Sequence, residues 1–267
     1  MQSMKCRICS AKTDFFDKTI IMGKYEATFS RCQECGFIQA DNPYWLDESY
    51  AEPVSLSDVG MVSRTFSLAQ VANAVIAVLL CRNGKYVDYG GGYGLFTRLM
   101  RDRGFDFSCF DKYCKNIFAS DFSVGENSDG ICEMVTSFEV MEHLVDPLTE
   151  FSKMLSFSHN VLVSTELVPS MTPKLKDWWY YGVEHGQHIS FYTINSLRIL
   201  ADRHHLFLAT NGRNIHFFSK KNVNSAYFKA IISPAFNWAI RLIYPNGSLL
   251  ESDFNKCRMN VLGDKVN

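Results

Sequence analysis

VDYGGGYGLF, residues 87–96, packs four glycines into positions 90–94, after an acidic residue, Asp88, and before a Leu-Phe pair that opens an apolar helical pattern. Glycine has no Cβ, so such a turn lets the backbone approach a ligand closely. Upstream, Lys85 to Tyr89 reads as a short strand. Downstream, Leu95 to Arg103 reads as a helix and Phe105 to Phe110 as a strand ending at Asp111. A second cycle follows: a strand at Glu133 to Phe138, a helix begun by Asp146-Pro147 with Leu148, Phe151, Met154 and Leu155 at helical spacing, and a strand at Asn160 to Thr165. Thr193 opens another helix, and LFLAT and NIHFFSK read as an antiparallel pair. This alternation implies a parallel sheet with helices on both faces, in which ligands sit beyond the carboxyl ends of the strands.

The ligand at this turn is not a dinucleotide. A pyrophosphate fingerprint requires GxGxxG, but Leu95 stands sixth from Gly90 and Thr97 sixth from Gly92. Asp88 at the strand end would repel a phosphate and suits a positively charged ligand. The run Asp88-Tyr89-Gly90-Gly91-Gly92-Tyr93-Gly94 resembles motif I of the class I S-adenosylmethionine-dependent methyltransferases. The resemblance implies that Asp88 and the amides around Gly90, Gly92 and Gly94 hold the amino-acid end of the cofactor. It also implies that Asp111 takes the ribose hydroxyls and that Asp121 and Phe122 lie on the adenine side.

TSFEVMEHLVDP, at the end of the next strand, resembles motif IV of the same family and brings Glu139, Glu142 and His143 within five residues. Two readings stand. In one, Glu139 borders the cofactor while Glu142 and His143 bond to neighbouring backbone. In the other, the three bind a divalent cation such as magnesium, a pattern similar to metal-dependent O-methyltransferases. Because the cofactor brings its own electrophile, the protein's task is to align an acceptor and take its proton. DWWYYGVEHGQHISFYT, residues 177–193, is the densest mixture of aromatic and titratable groups in the chain. His188 is the preferred base, with His143, Glu142 and Tyr192 in reserve, and His185 the weaker histidine. GQHISFYT resembles a stretch of sugar C-methyltransferases that place Glu-His there. Here Gln187 precedes His188, which tells against deprotonation of a carbon next to a ketone and leaves His188 available to a hydroxyl.

Two CxxC pairs, Cys6/Cys9 and Cys32/Cys35, flank short strand-like patches at Thr19 to Met22 and Glu26 to Phe29. Four thiolates close the tetrahedral sphere of a structural zinc ion and leave no open position. Such a module before a methyltransferase domain is again similar to the sugar C-methyltransferases of deoxysugar pathways, which implies a small-molecule acceptor, a nucleotide sugar or other carbohydrate methylated at carbon or oxygen.

The 267 residues, 47% hydrophobic, suffice for one large core and a smaller module, and nine cysteines in this arrangement do not form a disulfide framework. A net charge of -1 offers no field for nucleic acid. The longest apolar run, Val71 to Leu80, is too short for a bilayer and no signal sequence is seen, so a cytoplasmic protein with no membrane partner is expected. The expected fold is α/β: a Rossmann-like, doubly wound, mostly parallel sheet with a closing antiparallel strand, plus an N-terminal zinc ribbon. Residues 1–40 form the ribbon, 41–84 a linker and helical lid, 85–219 the S-adenosylmethionine-binding domain and 220–267 a helical tail. The rival from another class is a non-catalytic binding module, a zinc ribbon joined to a domain that holds the cofactor without turnover.

Overall fold

A computed structural model describes residues 4–51, 58–126, 132–243 and 247–263. Residues 52–57 of the expected linker and Tyr244, the expected end of a tail helix, lie outside these. Two compact units divide the chain, Met1–Val59 with Ser137–Phe228 and Gly60–Thr136 with Lys229–Asn267.

The second unit carries the glycine turn. Strand β4 (Lys85–Tyr89) pairs in parallel with β5 (Asp106–Phe110) and with β6 (Met134–Phe138). All but the first residue of β4 are buried, because a central parallel strand meets neighbours on both faces. Helix α3 (Leu95–Arg101) follows the turn and packs on β5, and α2 (Met61–Leu79) packs on α3 and on α7 (Pro234–Ile243). Helix α2 corrects the reading of Val71 to Leu80: its 19 residues are long and apolar enough to cross a bilayer, and a third (33%) of that window is buried. The expected tail helix from Phe228 is two helices, α6 (Ser225–Ile231) and α7, because Pro234 lacks the N–H that would continue the first. Beyond Gly247, where the pattern fades, a further helix forms, α8 (Leu250–Gly263).

The first unit contains the antiparallel sheet β1-β2-β3-β8, from β1 (Thr13–Ile21), β2 (Tyr25–Cys32), β3 (Ile38–Ala40) and β8 (Ser190–Phe191). The sheet of the N-terminal ribbon takes in a later segment: β3 pairs Ile38 with Phe191 and Gln39 with Ser190, far along the chain. The core beneath is aromatic, with Phe29, Trp45, Tyr180, Tyr181 and Phe191 all buried. The same unit holds β7 (Val161–Ser164), β9 (Phe207–Thr210) and β10 (Ile215–Ser219), with β10 antiparallel to both of the others, which is the expected closing pair. Within this unit the strand order is β7-β10-β9.

Helix α4 (Pro147–Phe157) starts as read: the Asp146 side chain accepts the Thr149 N–H at 3.2 Å, with Pro147 at the first helical position. Asp146→Ala should lower stability by about 1 kcal/mol, and Asp146→Ser by much less, in urea unfolding. Equal losses for both would show that the cap contributes nothing.

Candidate active site

The turn after β4 is built from its buried side. Asp88 is 2% exposed; one carboxylate oxygen accepts from Thr136 Oγ1 at 2.9 Å and the other from Thr97 Oγ1 at 3.4 Å. Burial pushes its carboxyl up to about 7, with the charge of Asp111 adding to the push and the Thr136 bond opposing it. Asp88 thus braces the turn from beneath. A Cβ on Gly91 would meet Asp88 Oδ2 at 2.5 Å and Cys109 Sγ at 2.7 Å, so glycine there is a packing necessity. Gly92 is different: at φ +55° it has nothing within 4 Å of a Cβ position, so its face is open to a ligand. Gly94, at φ +82°, backs onto the Asn116 side chain, and the Gly90 N–H bonds to the Phe110 carbonyl at 2.8 Å.

Asp111, expected at the ribose hydroxyls, bonds the turn itself. Its Oδ2 accepts the Gly92 N–H at 2.9 Å, and its Oδ1 the N–H groups of Tyr113 and Cys114 at 2.8 and 2.7 Å. A carboxylate has about four acceptor sites, so taking both ribose hydroxyls requires one of these amides to yield. Asp121 and Phe122 are engaged by other side chains. Asp121 is exposed and accepts from Asn260 at 3.2 Å. The buried Phe122 ring lies under the Arg101 guanidinium, 3.6 Å from its centroid, and is not presented for stacking on an adenine.

In the other unit, β6 ends at Glu139, a non-glycine residue at φ +55°. Such backbone is costly for glutamate and must be held by its surroundings. Ser164 holds it, accepting the Glu139 N–H at 2.9 Å and donating to the Glu139 carboxylate at 2.6 Å. One turn on, ligand atoms of Glu142, His143 and His188 lie within 4.8 Å of one another. His188 Nδ1 is 2.6 Å from the Tyr180 carbonyl, which can only accept, so Nδ1 carries a proton and the neutral ring has its lone pair on Nε2. His185 Nδ1 accepts the Gln187 N–H at 3.1 Å, and its ring stands against that of His188, 4.8 Å between centroids. Burial holds His143 well below the ordinary histidine range, aided by its histidine neighbours, and brings His185 down to about 4. Both are neutral at pH 7.

Tyr192 does not belong with these groups as a base. It is fully buried, its hydroxyl donates to the Met141 carbonyl at 3.0 Å, and burial raises it well above the ordinary tyrosine range. A residue absent from the sequence reading takes its place: Tyr50, whose hydroxyl is 3.0 Å from His143 Nδ1. No spacing signal marks Tyr50, because it lies in an irregular segment far from His143 in sequence. Ser164 is hidden for the same reason, as one of four buried residues of a short strand.

The four cysteines converge. Sγ–Sγ distances are 3.6 Å for Cys6–Cys35, 3.3 Å for Cys9–Cys32 and 3.7 Å for Cys9–Cys35. These are far longer than a disulfide and near the edge of about 3.8 Å expected for a tetrahedron of sulfurs around zinc. The residue after each pair, Ser10 and Gly36, has positive φ, and the amides of Ile8 and Cys35 point at the Cys6 and Cys32 sulfurs. Cys6 is pulled down by its contact with Cys35, and Cys35 is pushed up by the same contact and by burial, so four thiolates can coexist here only around a cation. The cluster fits a small structural zinc module.

An α/β sheet whose first parallel strand ends in an acid-braced glycine turn, with a carboxylate at the end of the next strand, defines a binder of a nucleoside cofactor that carries positive charge. The chain belongs to the methyltransferase-domain family, matched over residues 67–223, more than half its length, and is an S-adenosylmethionine-dependent methyltransferase. No curated protein matches it in sequence. Its fold is similar to the plantazolicin methyltransferase BpumL in complex with a monoazolic desmethylPZN analog and SAH (11% identity, 74% of this chain, 87% of that one, TM-score 0.50). It is also similar to an O-methyltransferase family protein from Burkholderia thailandensis (14%, 67% and 68%, TM-score 0.44). A third is CalO1, a methyltransferase of calicheamicin biosynthesis in its SAH-bound form (13%, 65% and 60%, TM-score 0.43). The match spans under two thirds of CalO1, and at these identities the likeness is one of fold.

Asp88 yields a pH prediction. A folded-state value of about 7, above the unfolded one, means that ionising Asp88 costs stability as pH rises from roughly 4 through 7. The unfolding free energy of Asp88→Asn relative to wild type, from urea unfolding, should therefore climb across that range, by at most about 1.4 kcal/mol per pH unit. A constant difference would mean that Asp88 ionises as freely in the fold as in the unfolded chain.

Proposed function

We propose that this enzyme methylates a hydroxyl of a small carbohydrate-linked acceptor, with His188 as the base and a zinc ion ordering the N-terminal sheet. S-adenosylmethionine, when bound, supplies a methyl group already activated on a sulfonium. The protein needs to orient the acceptor, keep water away and hold one proton. The observation that carries the reading is the Tyr180 carbonyl at His188 Nδ1, which in the neutral ring turns the lone pair to Nε2, beside two neutral histidines. The group behind Nδ1 is a neutral carbonyl, and Gln187 donates instead to the Ser49 carbonyl at 2.7 Å. That suits a hydroxyl proton better than one on carbon. Trp179, 72% exposed beside the buried Tyr180, offers an aromatic face of the kind that sugar rings stack on. The SAH-bound structures of CalO1 and BpumL support the cofactor by analogy.

A second reading rests on the same cluster: a carboxylate and two imidazoles within 4.8 Å can hold a divalent cation, which would acidify an acceptor hydroxyl bound to it. Glu142 and His143 would be ligands with His188, and Tyr50 would orient the His143 ring through Nδ1.

His188→Ala should lower kcat by about 10²–10⁴-fold while leaving the Kd of S-adenosylhomocysteine unchanged by calorimetry. Undiminished turnover would end both readings of the cluster. In wild type, activity that survives chelation excludes the metal reading, and activity lost to a chelator and restored by magnesium replaces the base with it. Metal analysis should find one zinc per chain, and stripping it should expose the amides of β1 to β3 to hydrogen exchange. A zinc-free protein with those amides still protected would refute the structural ion.

A further inference from the structure

The tail helix α8 is attached to the cofactor unit in a way that its weak apolar pattern does not announce. Residues 112–126, which follow Asp111, form no helix or strand; their one ladder contact is an isolated bridge between Ser123 and Cys109. Yet this loop shapes the glycine turn. Asp111 bonds the Gly92 N–H, the Tyr93 carbonyl accepts the amides of Ile117 and Phe118 at 3.0 Å each, and Asn116 Oδ1 would lie 2.0 Å from a Cβ on Gly94.

Helix α8 grips the same loop. Asp253 takes Arg101 through two bonds, to Nε at 2.8 Å and Nη2 at 2.7 Å, and also pairs with Arg98 at 2.9 Å. Arg101 is further fixed by Asp106 at 2.6 Å and the Phe107 carbonyl at 2.8 Å, and its guanidinium covers the Phe122 ring. Lys256 reaches the same ring at 4.6 Å, and Asn260 bonds Asp121. Arg101 and Asp253 are both buried, and burying an ion pair costs desolvation that an apolar contact would avoid. What a bidentate buried pair supplies is a single orientation.

We propose that α8 is a working part of the cofactor site and that Asp253 is a positioning residue, acting through Arg101 and Phe122 on the loop that carries Asp111; this rests on the assignment of the glycine turn to S-adenosylmethionine. The helix and the turn are two ends of one chain of contacts, so releasing the helix lets the Asp111 loop shift. The test is calorimetric titration of S-adenosylhomocysteine into the full-length wild type, Asp253→Asn, Asp253→Glu and Phe122→Leu, at a temperature where circular dichroism shows each variant folded. Asp253→Asn and Phe122→Leu should each raise Kd by about tenfold or more, with Asp253→Glu recovering part of the loss and the acceptor KM unchanged. Should Asp253→Asn fail to fold, Phe122→Leu, which leaves the ion pair intact, decides alone. A lowered melting temperature with unchanged Kd in the folded variants would overturn the positioning role. Wild type that binds neither S-adenosylmethionine nor its product would instead overturn the cofactor assignment itself.

Discussion

A buried carboxyl group holds the cofactor unit in register. Asp88 ends the central strand β4, and its two oxygens are bonded to Thr136 on β6 and Thr97 on α3, so a single side chain joins a strand to its neighbour and to the helix that follows the turn. Placing a carboxylate there is costly, as its raised pKa records. The cost fixes what can surround it. Gly91 must lack a side chain because Asp88 and Cys109 fill the space, whereas Gly92 must lack one because its face is to stay open. The glycine run therefore contains two kinds of glycine, one demanded by the protein's own packing and one by a ligand. A phosphate would gain nothing from a turn whose Gly92 N–H is already held by the Asp111 carboxylate; a cofactor bearing an ammonium and a sulfonium is the chemistry that agrees with it.

Burial also decides which titratable groups of the other unit can do chemistry. It raises Tyr180 and Tyr192 well beyond any working pH, so neither phenol can serve as a base. It lowers His143 and His185, which keeps their imidazoles neutral. The same dry environment thus removes tyrosine from the candidates and favours histidine. Backbone groups then settle which nitrogen is used: a carbonyl at His188 Nδ1 and an amide at His185 Nδ1 impose opposite tautomers on two rings that touch.

What the sequence discloses follows from how local the causes are. The strand, glycine turn and helix at 85–101, the Asp146 cap and the two CxxC turns each depend on residues within a few positions of one another, and each stands where it is read. Contacts made at long range escape. Strands β3 and β8 have three and two residues, too few to show a period, yet their pairing ties the ribbon to residue 190. Tyr50 reaches His143 across 93 positions. Helix α8 shows little apolar periodicity because its docking uses a buried ion pair and a cation over a ring, with Phe254 and Met259 left exposed. Phe122, expected on the adenine side, escapes for a related reason: the Arg101 guanidinium over its ring is a contact that the sequence does not announce.

The placement of β8 bears on whether the cysteine module is an appended binding domain or part of the enzyme. His188 immediately precedes Ile189, whose N–H bonds the Glu142 carbonyl at 2.9 Å and whose carbonyl accepts from Ala40 at the end of β3. Ser190 and Phe191 then continue as the strand beside β3, and the Thr193 hydroxyl bonds the carbonyl of Cys35 while its backbone starts helix α5 (Ile194–Arg203). The stretch from His188 to Thr193 is thus held on one side by the residue that bears the Glu142 carboxylate and on the other by the strand leading out of the second cysteine pair. A module meant only to recognise a partner would have its own surface and would leave this stretch to the rest of the fold. Here the order imposed by four cysteines on β2 and β3 passes through backbone hydrogen bonds to the residue next to His188, so the cysteine cluster is part of the scaffold that positions that side chain.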